Sequence, residues 1–159
     1  MRKRYALTAV PALLGALAVP GTALAADPGT GSGDTASRTQ AALAADGRVR
    51  AWEHANGGGR HCWWTGHDAS WTDCSPGGTM LNIASDLRNT GYVGGRDEVN
   101  FYWGQGYTGA WACLSVGDSW RNLDDGYIFS WGSDKDGYRE RINDNIASHR
   151  WVVNCGDPS

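Results

Sequence analysis

From Gly47 onward, short runs of aromatic and aliphatic residues alternate with clusters of Gly, Asn and Asp. Runs of this length bounded by turn formers are strand signals, because successive side chains of a strand face opposite sides of a sheet. They predict strands near Val49–His54, His61–Thr65, Val99–Trp103, Trp111–Val116, Tyr127–Trp131 and His149–Val153. Residues 47–159 therefore read as one all-β domain, a sandwich of two sheets. The 23 glycines and nine tryptophans, set against few strong helix formers, exclude a long helical bundle.

The chain before Gly47 has a different texture. Residues 1–25 open with Arg2, Lys3 and Arg4, continue in an apolar run from Tyr5 to Val19, and end Ala23-Leu24-Ala25. This is the pattern of a secretory signal peptide, and the apolar run is short for a membrane span. Residues 26–46 are small and polar with no aromatic side chain, and read as a flexible lead-in or pro-segment. Removing the leader with its three cationic side chains leaves 11 basic against 17 acidic residues, a net charge of −6. That balance argues against a nucleic-acid partner. The expectation is a secreted, extracellular, monomeric protein without a membrane span.

The domain also carries an internal repeat. Asn82-Ile83-Ala84-Ser85 recurs letter for letter as Asn145-Ile146-Ala147-Ser148. Upstream of each copy lies an aromatic strand and a glycine turn, with Trp52 seven residues before Gly59 and Tyr102 seven before Gly109. Each half then reads as a strand, a folded hairpin, a long return and a last strand, which is a Greek key. The hairpin glycines supply a backbone angle that residues with a Cβ avoid.

Two such halves resemble the βγ-crystallin family, in which two Greek-key motifs pack as a sandwich. The family's hairpin signature, an aromatic, a second aromatic five positions on, then x-Gly, is met by Tyr102, Tyr107 and Gly109. The first half has Trp52, Glu53 and Gly59 but places Gly57 at the second aromatic, so this hairpin is expected to be poorly covered. The resemblance also implies a calcium segment of the form Asn/Asp, Asn/Asp, two variable residues, Ser/Thr, Ser. Asn143, Asp144 and Ser148 match it, whereas Ala147 stands where a hydroxyl ligand belongs. The first half, aligned as Met80–Ser85, lacks both leading polar residues. One weak calcium site is the most this implies, since calcium takes six to eight oxygens, and no cofactor is required. The bacterial peptidase-inhibitor branch of the family shares the leader, the size and the cysteine count. By analogy it implies a protease as extracellular partner, met by loops such as Gly57–Arg60, Gly104–Gly109 and Ser75–Thr79.

Cys62, Cys74, Cys113 and Cys155 form an even set in an exported chain, which points to two disulfides with three connectivities open. Pairing Cys62 with Cys74 and Cys113 with Cys155 is preferred, because it ties each hairpin strand to its own half. A zinc site from His61, Cys62, His67 and Cys74 matches no common finger spacing. His54, His61 and His67 lie near Asp68 and Asp73, but no nucleophile turn or metalloprotease helix accompanies them. Glu53 with Asp97 or Glu98 is a glycosidase pair only if folding sets the separation. The residues thus favour a binding protein over an enzyme. Adjacent Trp63 and Trp64 face opposite sides of a regular strand, so one of them is the best pointer to a binding surface, for a protein or a sugar. The leading expectation is a proteinase-inhibitor-like module; calcium binding or a structural role comes second and carbohydrate binding third.

Overall fold

The computed structural model describes residues 45–157; the leader and almost all of the lead-in lie outside them. Seven strands follow in order: β1 (Arg48–His54), β2 (Gly58–Trp64), β3 (Asp86–Thr90), β4 (Glu98–Tyr102), β5 (Trp111–Leu114), β6 (Ser119–Trp120) and β7 (Ser148–Val152). All named strand pairs are antiparallel, and they form one sheet of order β2-β1-β3-β6 and a second of order β5-β4-β7. The fold is all-β, and no α-helix occurs among the described residues.

The two halves exchange their edges. β6 follows the second hairpin yet pairs with β3 of the first sheet, Leu87 opposite Trp120. In return Asp68, which follows the first hairpin, bridges His149 of β7 through two backbone bonds of 3.0 and 2.9 Å. Neither half can therefore leave without breaking hydrogen bonds in the other, and a buried peptide group left without a partner costs about 1–3 kcal/mol.

Hairpin geometry sets the equivalence between the halves, and it corrects the sequence repeat by one residue. Trp52 pairs with Asp86 and Tyr102 with Ser148. Ser85 N–H donates to Trp52 O and Ala147 N–H to Tyr102 O. The loop bonds agree, with Asn82 N–H on Ile146 O and Asp144 N–H on Ala84 O. Asn82 thus corresponds to Asp144, Ser85 to Ala147, and Asp86 to Ser148. The four-letter identity is out of step because strand pairing to the hairpin, not letter matching, fixes the register.

Five of the six expected strands form. Tyr127–Trp131 does not: it makes single bridges, Trp111 to Trp131 and Ile128 to Arg141. Its partner segment holds Gly137 and Arg139 at φ +80° and +67°, which breaks a continuous ladder. β3 and β6 were not expected. The core gathers Val49, Ala51 and Leu87 from one sheet and Val99, Phe101 and Leu114 from the other, with Trp71, Met80, Phe129, Ile142 and Ile146 from the returns. Each large apolar side chain buried there contributes about 1.5–3 kcal/mol.

Cys62 bonds to Cys74 and Cys113 to Cys155, with Cα separations of 5.7 and 5.5 Å, so each bridge stays within its own half as preferred. The bridges are not equivalent, because Cys62 lies opposite Ala51 on the buried face while Cys113 lies opposite Asn100 and is half-buried. Glu98 lies close to the Cys113 and Cys155 sulfurs, but these are bonded to each other and offer no thiolate for a metal. The zinc set around Cys62 fails for the same reason.

Candidate functional site

The two hairpin corners are braced by different chemistry. In the second, Tyr102 and Tyr107 meet edge to face at 5.9 Å. The buried Ser148 hydroxyl donates to Gly104 O at 2.6 Å and accepts Tyr107 N–H at 3.2 Å. In the first, Asp86 takes the place of Ser148 and is fully buried. Arg88 and Arg121 pair with it at 3.2 and 3.0 Å. Arg88 lies 4.1 Å over the Trp52 ring, and a Cβ at Gly57 would come within 2.9 Å of its Nη2. The hairpin expected to be poorly covered is thus covered by a guanidinium in place of an aromatic ring.

The structure divides the calcium segment. Ser148 is committed to the hairpin corner, as just described. Asp144, in the left-handed region at φ +57°, bonds instead to the Ser85 side chain and accepts from Asn143 Nδ2 at 3.0 Å. Burial raises the Asp144 carboxyl above its ordinary range and Asp124 adds to the rise, against the hydrogen bonds from Ser85 and Asn143. The Oδ1 of Asn143 is buried without a partner. Carboxylate, amide oxygen and hydroxyl are the hard oxygen donors calcium takes, so this group fits part of a calcium shell. Ser85 was missed because the repeat was aligned one residue off.

Of the tryptophan pair, Trp64 is buried and stacks on Trp71 at 4.7 Å, with its Nε1 unpartnered. Trp63 is half-buried, and Arg48 covers one of its faces at 3.9 Å. The histidines disperse: His61 stacks on Trp52, and His67 Nδ1 accepts the Trp151 backbone N–H at 3.0 Å. Glu53 is held by Arg60 at 3.0 Å, and Asp97 accepts Gly94 N–H at 2.7 Å. His149, which carried no sequence signal, is fully buried between Trp64, Trp71 and Phe101. Its Nδ1 accepts the Trp71 indole N–H and its Nε2 donates to Gly66 O, both at 2.8 Å. Burial lowers its pKa to about 3, so the ring is neutral.

The most exposed large hydrophobic side chains among the described residues are Tyr92 at 66 % and Val93 at 53 %. They stand in the loop from Gly91 to Asp97 that joins the halves. Asn89, fully buried on β3, holds both ends of this loop. Its Nδ2 donates to Asp97 O at 2.7 Å and Leu114 O at 3.1 Å, and its Oδ1 accepts Gly91 N–H at 2.9 Å. Sequence reasoning missed the loop, although two apolar residues set among three glycines between the repeats marked it.

This is a two-sheet, Greek-key β-sandwich that presents clamped loops. Among solved structures it is similar to one described as "Evolution of the eye lens beta-gamma-crystallin domain fold", at 18% identity and TM-score 0.47 over 67% of this chain and 85% of that one. It is also similar to a betagamma-crystallin from an archaeon, at 17% identity and TM-score 0.46 over 66% and 96% of the two chains. A beta gamma crystallin from Ciona intestinalis aligns at 13% identity and TM-score 0.45 over 66% and 99%. No protein-family model and no curated protein matches the chain. No helix among the described residues is long and apolar enough to cross a membrane.

Proposed function

We propose that this chain is a secreted, non-enzymatic binding module of the peptidase-inhibitor kind that offers the loop from Gly91 to Asp97 to a protease. The observation that carries the reading is the Asn89 clamp beneath exposed Tyr92 and Val93. A loop already fixed at both ends loses little conformational freedom on docking, and an exposed aromatic side chain supplies a large contact area. Two disulfides and the exchanged sheet edges favour a scaffold that resists opening while the loop is engaged. The test is the residual activity of a panel of extracellular serine and metalloproteases with a stoichiometric excess of the protein. Loss of at least one activity is expected, with recovery when Tyr92→Ala replaces the native chain. Unaltered rates across the panel remove the reading.

A second reading, calcium binding, is favoured by the unpartnered Asn143 Oδ1 beside the raised Asp144 carboxyl. Bound calcium would neutralise the Asp144 carboxylate and satisfy the orphaned oxygen. A carbohydrate reading through Trp63 or Trp64 loses support, since Trp64 is buried and Arg48 lies on one face of Trp63.

A further inference from the structure

The inner side of the clamped loop walls a cavity of about 360 Å3 together with Gly66, His67 and Trp151. Two of its walls are the aromatic rings of Trp151 and Tyr92. Trp151 is fixed by donating its indole N–H to Gly66 O at 3.1 Å. The backbone of Gly91 lies against the Trp151 ring so closely that a Cβ would come within 2.6 Å of it. Tyr92, two-thirds exposed, forms another wall.

Two hydrogen-bond donors, His67 and Arg96, line this cavity beside the Thr65 hydroxyl. His67 Nδ1 already accepts the Trp151 N–H, so the proton of the neutral ring sits on Nε2, the nitrogen left for a ligand. Arg96 lines the same space, and its guanidinium makes no ion pair among the described residues. The charges that act on His67 are those of Arg150 and Arg96, both cationic.

We propose that the cavity binds a carboxylate attached to a flat apolar group. The carboxylate would take the Arg96 guanidinium and the His67 Nε2–H, and the flat group would lie against Trp151 and Tyr92. Guanidinium suits this role because its planar fork matches a carboxylate. The volume is in the range of small-molecule sites. Two sources share the chemistry: a free aromatic acid, and the C-terminus of a peptide that ends in an aromatic residue.

Gly66 provides a blocking variant. Gly66 lines this cavity and its neighbour beside Trp63 and Trp64; a Cβ there meets nothing within 4 Å, and its φ lies outside the left-handed region, so a side chain is added at the rim without backbone strain. The full chain is titrated with phenylacetate, with the tripeptide Ala-Ala-Phe as free acid, and with its C-terminal amide, while NMR follows the Trp151 indole N–H and the His67 ring. Saturable shifts with phenylacetate alone assign a free acid, and tighter binding of the tripeptide acid assigns a peptide terminus. Arg96→Ala should weaken binding about tenfold or more, the loss of one charge-assisted contact. Gly66→Leu should abolish binding with its unfolding midpoint unchanged. Equal binding of the amide, unchanged affinity in Gly66→Leu, or no saturable shift in any arm overturns the proposal. No protease enters the measurement, so its failure leaves the inhibitor reading standing.

Discussion

The Arg88 guanidinium lies 4.1 Å over the Trp52 ring, at the corner where the second half sets Tyr107 against Tyr102. The same guanidinium is one of two that neutralise the fully buried Asp86. Removing it by Arg88→Ala uncovers the ring and leaves the carboxylate with Arg121 alone. Breaking a buried ion pair costs about 3–5 kcal/mol, and the remaining arginine keeps the expected loss to about 2–4 kcal/mol. Urea unfolding measures it. Arg88→Lys should recover less than half, because an ammonium has no planar face to lay on the indole. Full stability in Arg88→Ala would mean that the corner needs no cover.

Asn89 makes three side-chain bonds that no other residue type can copy, two given and one accepted. Asn89→Ala leaves the carbonyls of Asp97 and Leu114 and the N–H of Gly91 without their partner. One or two of these stranded in the interior cost about 2–4 kcal/mol. The loop should also become a cleavage site: limited proteolysis is expected to cut near Tyr92 in the variant long before the native chain. Equal resistance of the two proteins would show that the loop is held by something other than Asn89.

His149 predicts the acid side of the stability curve. Its pKa falls from 6.5 in the unfolded chain to about 3 in the fold, because burial penalises the charged ring. Between those values the unfolded state binds the extra proton, so stability is fully present above pH 6.5 and is lost as pH falls towards 3. The slope is about 1.4 kcal/mol per pH unit for one proton. His67 is lowered too, by burial and then by Arg150 and Arg96, and acts in the same direction. Unfolding midpoints measured from pH 7 to pH 4 should therefore drop steadily, with a shallower slope in His149→Gln. Slopes, not midpoints, carry the comparison, since the variant also loses the bond from Trp71.

These residues also explain what could be read from the chain alone. Strands that alternate aromatic with polar positions were legible, as were the hairpin glycines, because Gly59 and Gly109 do sit at φ +73° and +80°. β3 was not legible, because Asp86 and Asn89 are polar letters at fully buried positions and their partners lie far away in sequence. The repeat was legible as a repeat but not in register, and that one-residue slip hid Ser85 behind Ala147. The clamped loop escaped for a related reason: its signal is the side chain of Asn89 on the preceding strand, not its own composition.

The slip has a measurable consequence for calcium. If the metal is held by the group that the hairpin register brings together, Asp144, Asn143 and Ser85 matter and Ser148 does not. A ligand that binds only the folded chain raises stability by about 2.7 kcal/mol at a hundredfold excess over its dissociation constant. Thermal unfolding with and without millimolar calcium should show such a rise in the native chain and none in Asp144→Ala. Ser85→Ala should reduce the rise. Ser148→Ala should lower the midpoint in both conditions by loosening Gly104 and Tyr107, while the calcium-dependent increment persists. An increment lost in Ser148→Ala but kept in Ser85→Ala would restore the alignment by letters, and calorimetry without heat at millimolar calcium would remove the site altogether.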